Sequence, residues 1–120
     1  MKRAGITSLM VLVLVGVVAS GPQSRAAEGP KVIPIVAKRF GFTPDHVTLK
    51  KGENVVLRLT SQDVTHGFFV RPLKVDELIP AGKTLDVNVQ PKQAGTFNVI
   101  CHHFCGVGHG NMKMTITVEP

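Results

Sequence analysis

The stretch that decides how this chain is understood is CHHFCGVGHGNM, residues 101–112. It contains both cysteines of the 120-residue chain, three of its five histidines and one of its four methionines. The sulfur and nitrogen donors follow the pattern C-x3-C-x3-H-x2-M, and they are Cys101, Cys105, His109 and Met112. Thiolate, imidazole and thioether are soft donors that favour copper, whereas zinc sites use cysteine and histidine and rarely methionine. The stretch therefore indicates a copper-binding loop, in which three glycines allow the backbone to turn tightly.

A further histidine ligand is expected from outside this loop, because a metal loop at the end of a β-sandwich usually takes one from another loop. Two histidines lie upstream. His66 follows a strand-like run, VVLRLT at residues 55–60, and precedes a Gly-Phe pair. His46 lies in the turn-like run TPDH. We expect His66 to be the ligand and His46 to be a surface residue of a turn.

The two cysteines have a second interpretation, because cysteine pairs in exported proteins commonly form disulfides. The histidine and methionine that follow Cys105 favour metal ligation over a structural disulfide. A single cysteine with these neighbours would suit a mononuclear blue-copper site. The additional thiolate of Cys101, four residues earlier, instead indicates two copper ions.

Two motifs in the same order, TSQDVTHGF at residues 60–68 and the 101–112 loop, closely resemble the CuA domain of cytochrome c oxidase subunit II. The chain looks most like the short form found in B-type (ba-type) oxidases. The similarity extends from about residue 40 to residue 120. The resemblance implies two copper ions bridged by two thiolates, with one histidine on each copper. It also implies a methionine on one copper and a backbone carbonyl on the other.

Transferred by position, the implied ligands are His66, Cys101, the backbone carbonyl of His103, Cys105, His109 and Met112. The family often has Glu or Gln where this chain has His103. Because a carbonyl ligand does not depend on the side chain, we expect copper binding to survive this difference. The magnesium contact that the Glu makes in some oxidases is not transferred to this chain.

Residues beside the implied ligands have predicted roles of their own. We expect Asp63 to accept a hydrogen bond that fixes the upstream histidine loop, with a turn cap as the alternative. His102 is expected to be an exposed spectator, ahead of a weak extra ligand or part of a docking surface. The aromatic residues expected to pack around the metals and exclude water are Phe68, Phe69 and Phe104.

Short strand-like runs with turn signals every 8–12 residues predict an all-β fold, a Greek-key β-sandwich, and the resemblance implies the cupredoxin type. The clearest alternation is TLDVNVQ at residues 84–90, whose aliphatic side chains should face inward. Pro34 predicts that residues 31–40 form an edge strand. Residues 75–79 fit either a strand or a helical turn.

The N-terminal residues 1–26 are typical of a signal peptide, with a basic start, an apolar stretch at residues 6–19 and small residues before position 27. The apolar stretch is short for a membrane-spanning helix, which needs about 20 residues. An uncleaved N-terminal anchor remains the alternative, and only this anchor would bring membrane contact. The domain is then residues 27–120, placed in the periplasm or on the outer face of the cytoplasmic membrane.

The charge is moderate. Cleavage would remove Lys2, Arg3 and Arg25 and leave 11 basic against 8 acidic residues, a net charge of +3 instead of +6. Without a basic run or an aromatic-interleaved patch, the sequence gives no sign of nucleic-acid binding.

Copper surrounded by protein donors has no open position for a substrate, so we expect electron transfer and no catalytic site of its own. By resemblance, the protein would accept single electrons from a cytochrome c or similar donor and pass them to a terminal oxidase, as the electron-entry component of such an enzyme. The alternative is a periplasmic copper delivery or storage protein. A metal-free disulfide domain is the third interpretation.

Overall fold

The computed structural model describes residues 29–120, together with residues 5, 15–18 and 21. The predicted signal peptide or anchor, residues 1–26, therefore lies outside the described residues except at those few positions. Between residues 29 and 120 the strands are β1 Lys31–Lys38, β2 Gly41–Thr43, β3 His46–Lys50, β4 Val55–Ser61, β5 His66–Val70, β6 Val75–Ile79, β7 Thr84–Val89, β8 Gly95–Ile100 and β9 Lys113–Glu119. Single 3-10 turns span Arg71–Leu73 and His109–Asn111.

The strands form two sheets packed face to face. One has the order β2-β1-β4-β7 and the other the order β3-β9-β8-β5-β6. The pairs β1–β4 and β3–β9 are parallel, whereas the remaining pairs are antiparallel. The prediction of an all-β sandwich is confirmed.

The core lies between the sheets because strand side chains alternate between two faces. In β9, Met114, Ile116 and Val118 are buried, while the strand's two ends, Lys113 and Glu119, are exposed. Full burial of one such aliphatic side chain contributes about 1.5–3 kcal/mol. The inward aliphatic residues of β7 are half-buried or buried, as the alternation predicted.

Two sequence expectations are refined by the sheet order. β1 is not an edge strand along its whole length, because β2 pairs with it at residues 36–38. Pro34 lies before that paired segment, where β4 is the neighbouring strand and Pro34 is in register with Arg58. Residues 75–79, left open between strand and helical turn, form strand β6 in a hairpin with β5.

The fold brings the two motif regions to one end of the larger sheet. β5 begins at His66, and β8 ends just before Cys101. These antiparallel strands are neighbours, with Phe69 paired with Ile100. The upstream histidine and the 101–112 loop therefore lie at the same end. No helix in the described parts of the chain is long and apolar enough to cross a membrane.

Candidate metal centre

A buried cluster of donor atoms occupies this end of the sandwich. His66, Cys101 and Cys105 are all buried, and their potential ligand atoms lie within 4.8 Å of one another. The two Sγ atoms are 3.6 Å apart and both cysteines are free. That separation far exceeds the roughly 2.05 Å of a disulfide bond. Two thiols and an imidazole are therefore arranged as separate donors.

The second half of the loop adds two more donors. The Sγ of Cys105 lies 3.7 Å from His109 Nδ1 and 3.7 Å from the Sδ of Met112. Met112 is buried and His109 is half-buried. The N–H of Met112 donates to the His109 carbonyl at 3.1 Å, and the N–H of Cys101 donates to the Met112 carbonyl at 3.2 Å. These bonds close the loop and fix its sulfur atoms near one another.

A backbone oxygen completes the cluster. The Sγ of Cys101 donates its hydrogen to the carbonyl of His103 at 3.1 Å. The same sulfur accepts a hydrogen bond from the N–H of Gly67 at 3.2 Å. The structure thus brings together all the residues that were predicted from the sequence to be ligands. The backbone carbonyl of His103 lies against the Cys101 thiol, as the predicted ligand set requires.

His66 shows why this cluster suits a metal ion. Its Nε2 lies 2.6 Å from Asp63 Oδ1, while its Nδ1 is buried and has no hydrogen-bond partner among the described residues. A carboxylate at Nε2 holds the proton there, which leaves the lone pair of Nδ1 free. A buried nitrogen without a partner costs about 1–3 kcal/mol. A metal ion would satisfy this nitrogen, and sulfur-rich donors of this kind fit copper.

Asp63 has the role that the sequence predicted. Partial burial acts to raise its pKa, but hydrogen bonds from the Arg39 N–H, His66 and the Val64 N–H lower the pKa to about 2. The carboxyl is therefore ionised at neutral pH and can orient the imidazole. Because its Oδ1 also accepts from the N–H of Val64 at 2.7 Å, Asp63 stabilises the local turn as well.

In the metal-free protein the Cys105 side chain is a thiol rather than a thiolate. Burial, together with the hydrogen bond and charge of Cys101, raises the pKa of the Cys105 thiol to about 11. Thiolates are the metal-binding form of cysteine, so metal binding must release protons from this site.

His46 and His102 lie outside the donor cluster. His46 is exposed and its Nε2 hydrogen-bonds to Thr117 Oγ1 at 2.9 Å, as expected for a surface residue. His102 is also exposed, its Nε2 lies 2.6 Å from Asp76 Oδ1, and its ring stacks on Phe69. The role of His102 as an exposed spectator stays a prediction.

One of the three aromatic predictions is wrong. Phe68 is buried and Phe69 is half-buried, but the side chain of Phe104 is 74% exposed. Cys101 and Cys105 both point into the cluster, and the loop between them turns Phe104 outward. Its ring lies near that of His109, with centroids 5.9 Å apart. Phe104 therefore forms part of the surface above the site instead of its packing.

Two functional neighbours were not identified from the sequence. Arg39 and Phe40 lie in the turn between β1 and β2, more than 60 residues before the loop. The ring of Phe40 lies against the loop backbone: a Cβ added to Gly108 would be 2.5 Å from Phe40 Cδ2. Nothing in the local sequence of the turn indicates this contact, because it depends on how distant strands pack.

Comparison with known proteins agrees with the resemblance seen in the motifs. Residues 8–118 match the cupredoxin-like domain family. The chain is 32% identical over 99 residues to cytochrome c oxidase subunit 2 of Thermus thermophilus, covering 81% of this chain and 73% of the relative. The protein of the same name from a further strain of Thermus thermophilus is also 32% identical over 99 residues, and the match spans only 59% of its length.

A solved structure supports the same relationship. A heme-copper terminal oxidase dimer contains a chain that superposes on this one with a TM-score of 0.69 and 27% sequence identity. The superposition covers 78% of this chain and 68% of that chain. The predicted cupredoxin type of sandwich is therefore confirmed, and the relationship implies that this chain binds copper.

Proposed function

The chain belongs to the cupredoxin-like domain family and is related to cytochrome c oxidase subunit 2, and from this premise we propose that it transfers electrons through a dinuclear copper centre. The observation that carries the proposal is the buried group of His66, Cys101 and Cys105, with ligand atoms within 4.8 Å of one another. Copper bound in this group would supply a one-electron redox couple.

The proposed ligand set uses two thiolates as bridges. A pair of sulfur atoms 3.6 Å apart supports this assignment, because each could contact both metal ions. The donors assigned to the two ions are Cys101, Cys105, His66, His109, Met112 and the carbonyl of His103.

The protein's contribution is to fix these donors and keep water away. The cysteines are each 4% exposed and Met112 is 2% exposed. Strands β5, β8 and β9 anchor the segments that carry the ligands, so the donor positions are held by sheet hydrogen bonds. A rigid, dry site limits rearrangement between redox states, and the filled donor set offers no position for a substrate.

The partners and location follow from the proposed function. The electron donor would be a cytochrome c or similar small redox protein, and the acceptor would be a terminal oxidase. The domain of residues 27–120 would act in the periplasm or on the outer face of the cytoplasmic membrane. Residues 1–26 would serve as the export signal or as an N-terminal anchor.

Burial of the donors weighs against the alternative of a copper delivery or storage protein. A delivery protein must pass its metal to a partner, so its sulfur ligands need to be accessible. Here the three sulfur atoms assigned to copper belong to buried residues, and Asp63 fixes the imidazole of His66 at 2.6 Å.

The test is to load the full chain with copper and compare it with Cys101→Ser. We expect two copper ions per chain, a purple colour and an EPR pattern from one electron shared by two equivalent nuclei. Cys101→Ser retains Cys105, two histidines and a methionine, the set of a mononuclear blue-copper site. It should therefore bind one copper and show an EPR signal from a single nucleus.

Three results would contradict the proposal. One copper in the fully loaded wild-type protein would exclude the dinuclear centre. An unchanged copper count and spectrum in Cys101→Ser would exclude Cys101 as a bridge. A colourless, EPR-silent protein that holds copper(I) under oxidising conditions would favour the delivery or storage function.

A further inference from the structure

Arg39 contacts the metal loop from a distant part of the chain. The residue lies in the β1–β2 turn, and its Nε donates a hydrogen bond to the carbonyl of Cys105 at 2.9 Å. The bond joins positions separated by 66 residues. It holds the backbone of Cys105 directly, at the residue whose sulfur is close to three other donors.

The same residue also contacts the other segment that carries a ligand. The backbone N–H of Arg39 donates to Asp63 Oδ2 at 2.8 Å, and Asp63 Oδ1 is paired with His66 Nε2. Arg39 is therefore connected to His66 through one carboxylate and to Cys105 through one carbonyl. A single turn residue links the two halves of the site.

Packing next to Arg39 reinforces this link. The ring of Phe40 occupies the space beside two loop glycines, where a Cβ on Gly106 would be 2.9 Å from Phe40 Cε1. A Cβ on Gly106 would also lie 3.4 Å from Arg39 Nε. The absence of side chains at these positions is what allows the turn to approach the loop so closely.

The charge of Arg39 also acts on the site. Its Nε lies 2.9 Å from the Cys105 carbonyl, beside the buried side chain of Cys105. A cation beside a poorly solvated site stabilises added negative charge more strongly than it would in water. The guanidinium should therefore favour the reduced state of a bound redox metal.

We propose that Arg39 is a positioning residue of the metal centre, which fixes the Cys105 backbone relative to His66 and raises the reduction potential of the bound copper. This inference rests on the proposed function, because it assumes a redox-active copper centre. The side chain and the backbone of Arg39 act separately. Substitution of the side chain removes the bond to Cys105 and leaves the N–H that binds Asp63.

The test uses the copper-loaded full chain with Arg39→Met, Arg39→Lys and the control Lys38→Met. Lys38 is the exposed neighbour in sequence, and its substitution removes one positive charge as Arg39→Met does. The readouts are the reduction potential, the EPR spectrum and the rate at which a chelator removes copper. Circular dichroism checks that each variant is folded.

We expect Arg39→Met to lower the reduction potential, to alter the EPR hyperfine splitting and to release copper about fivefold faster, as for the loss of one hydrogen bond. Arg39→Lys should restore most of the potential because it keeps the charge. It should still release copper faster than wild type, because the ammonium cannot reproduce the planar geometry of the guanidinium. Lys38→Met should match wild type in all three readouts.

Equal potentials and release rates in Arg39→Met and Lys38→Met would overturn the proposal, since Arg39 would then act as any surface charge. If Arg39→Met fails to fold, Arg39→Lys provides the test. Copper release from Arg39→Lys at the wild-type rate would also overturn the proposal. Failure of the proposed function is recognised separately, because the wild-type protein would then lack the dinuclear EPR signal before any variant is compared.

Discussion

A single imidazole shows how this chain prepares a metal ligand. His66 is fully buried, its Nε2 is engaged by an ionised carboxylate, and its Nδ1 has no partner in the part of the chain that the structure describes. A buried histidine in a structural role would have both nitrogens satisfied, because an unpaired buried polar atom is costly. The Nδ1 of His103 is also buried without a partner among the described residues, but only His66 lies in the donor group with the two cysteines, and this position together with the unpaired Nδ1 points to a ligand. His46 is exposed and has a hydroxyl partner on the surface.

These two histidines give the first prediction. His66→Ala should abolish or strongly alter the visible and EPR spectra of the copper-loaded protein, because it removes one of the two imidazole donors. His46→Ala should leave both spectra unchanged and shift the free energy of unfolding by no more than about 0.5 kcal/mol. The measurements are copper titration, absorption and EPR spectra, and denaturant unfolding. The opposite pattern would show that His46 is the upstream ligand.

At the level of structural elements, the metal loop depends on the turn between β1 and β2. Gly108 has φ −87 and could carry a side chain without backbone strain. Its constraint is the ring of Phe40, which a Cβ would approach to 2.5 Å. Gly110, two residues further on, has no heavy atom within 4 Å of the corresponding position. Substitution of each glycine by alanine therefore distinguishes the effect of packing against Phe40 from the effect of loop flexibility.

We expect Gly108→Ala to destabilise the protein by about 1–3 kcal/mol, the usual cost of overpacking, because the Phe40 ring must move. Copper binding should weaken as well, since His109 follows Gly108 directly in the loop and Met112 lies four residues after it. Gly110→Ala is the matched control, and its free energy of unfolding should lie within about 0.5 kcal/mol of the wild-type value. Denaturant unfolding and copper titration of both variants test this. Similar losses of stability and copper affinity in Gly108→Ala and Gly110→Ala would show that the loop needs glycine for flexibility alone.

The loop and the turn also mark how far the sequence could predict the site. The donors in residues 101–112 are close together in the chain, so their spacing alone indicated a metal loop. His66 could be chosen over His46 because a strand-like run precedes it. The orientation of Phe104 depends on the path of the loop backbone, which spacing does not define. Arg39 reaches Cys105 across 66 residues, and such contacts have no local signature.

For the molecule as a whole, the metal centre joins parts of the sandwich that are far apart in sequence. His66 begins β5, whereas the remaining donors lie between β8 and β9. A ligand that binds only the folded protein stabilises it by mass action. The metal-free protein must keep this end of the sandwich closed with an unpaired imidazole nitrogen and two buried thiols.

Removal of copper should therefore lower the melting temperature. At free copper about 1,000 times the dissociation constant, binding contributes about 4 kcal/mol. For a domain of this size, that corresponds to a change of roughly 16–30 °C. Calorimetry of the copper-loaded and chelator-treated proteins, both kept under conditions that prevent disulfide formation, measures the difference. Identical melting temperatures would mean that copper does not distinguish the folded from the unfolded chain.

The position of β9 has a consequence for when the site can form. β9 is the strand nearest the C-terminus, yet it lies inside its sheet and pairs with both β3 and β8, so that Thr115 is matched with His46. Met112 immediately precedes this strand. The loop therefore cannot take its final shape until residues 113–119 have been synthesised and have docked. Pairings this distant in sequence also form slowly. We therefore expect copper to bind only after β9 has docked, and a defect in β9 to appear as a failure of metal loading.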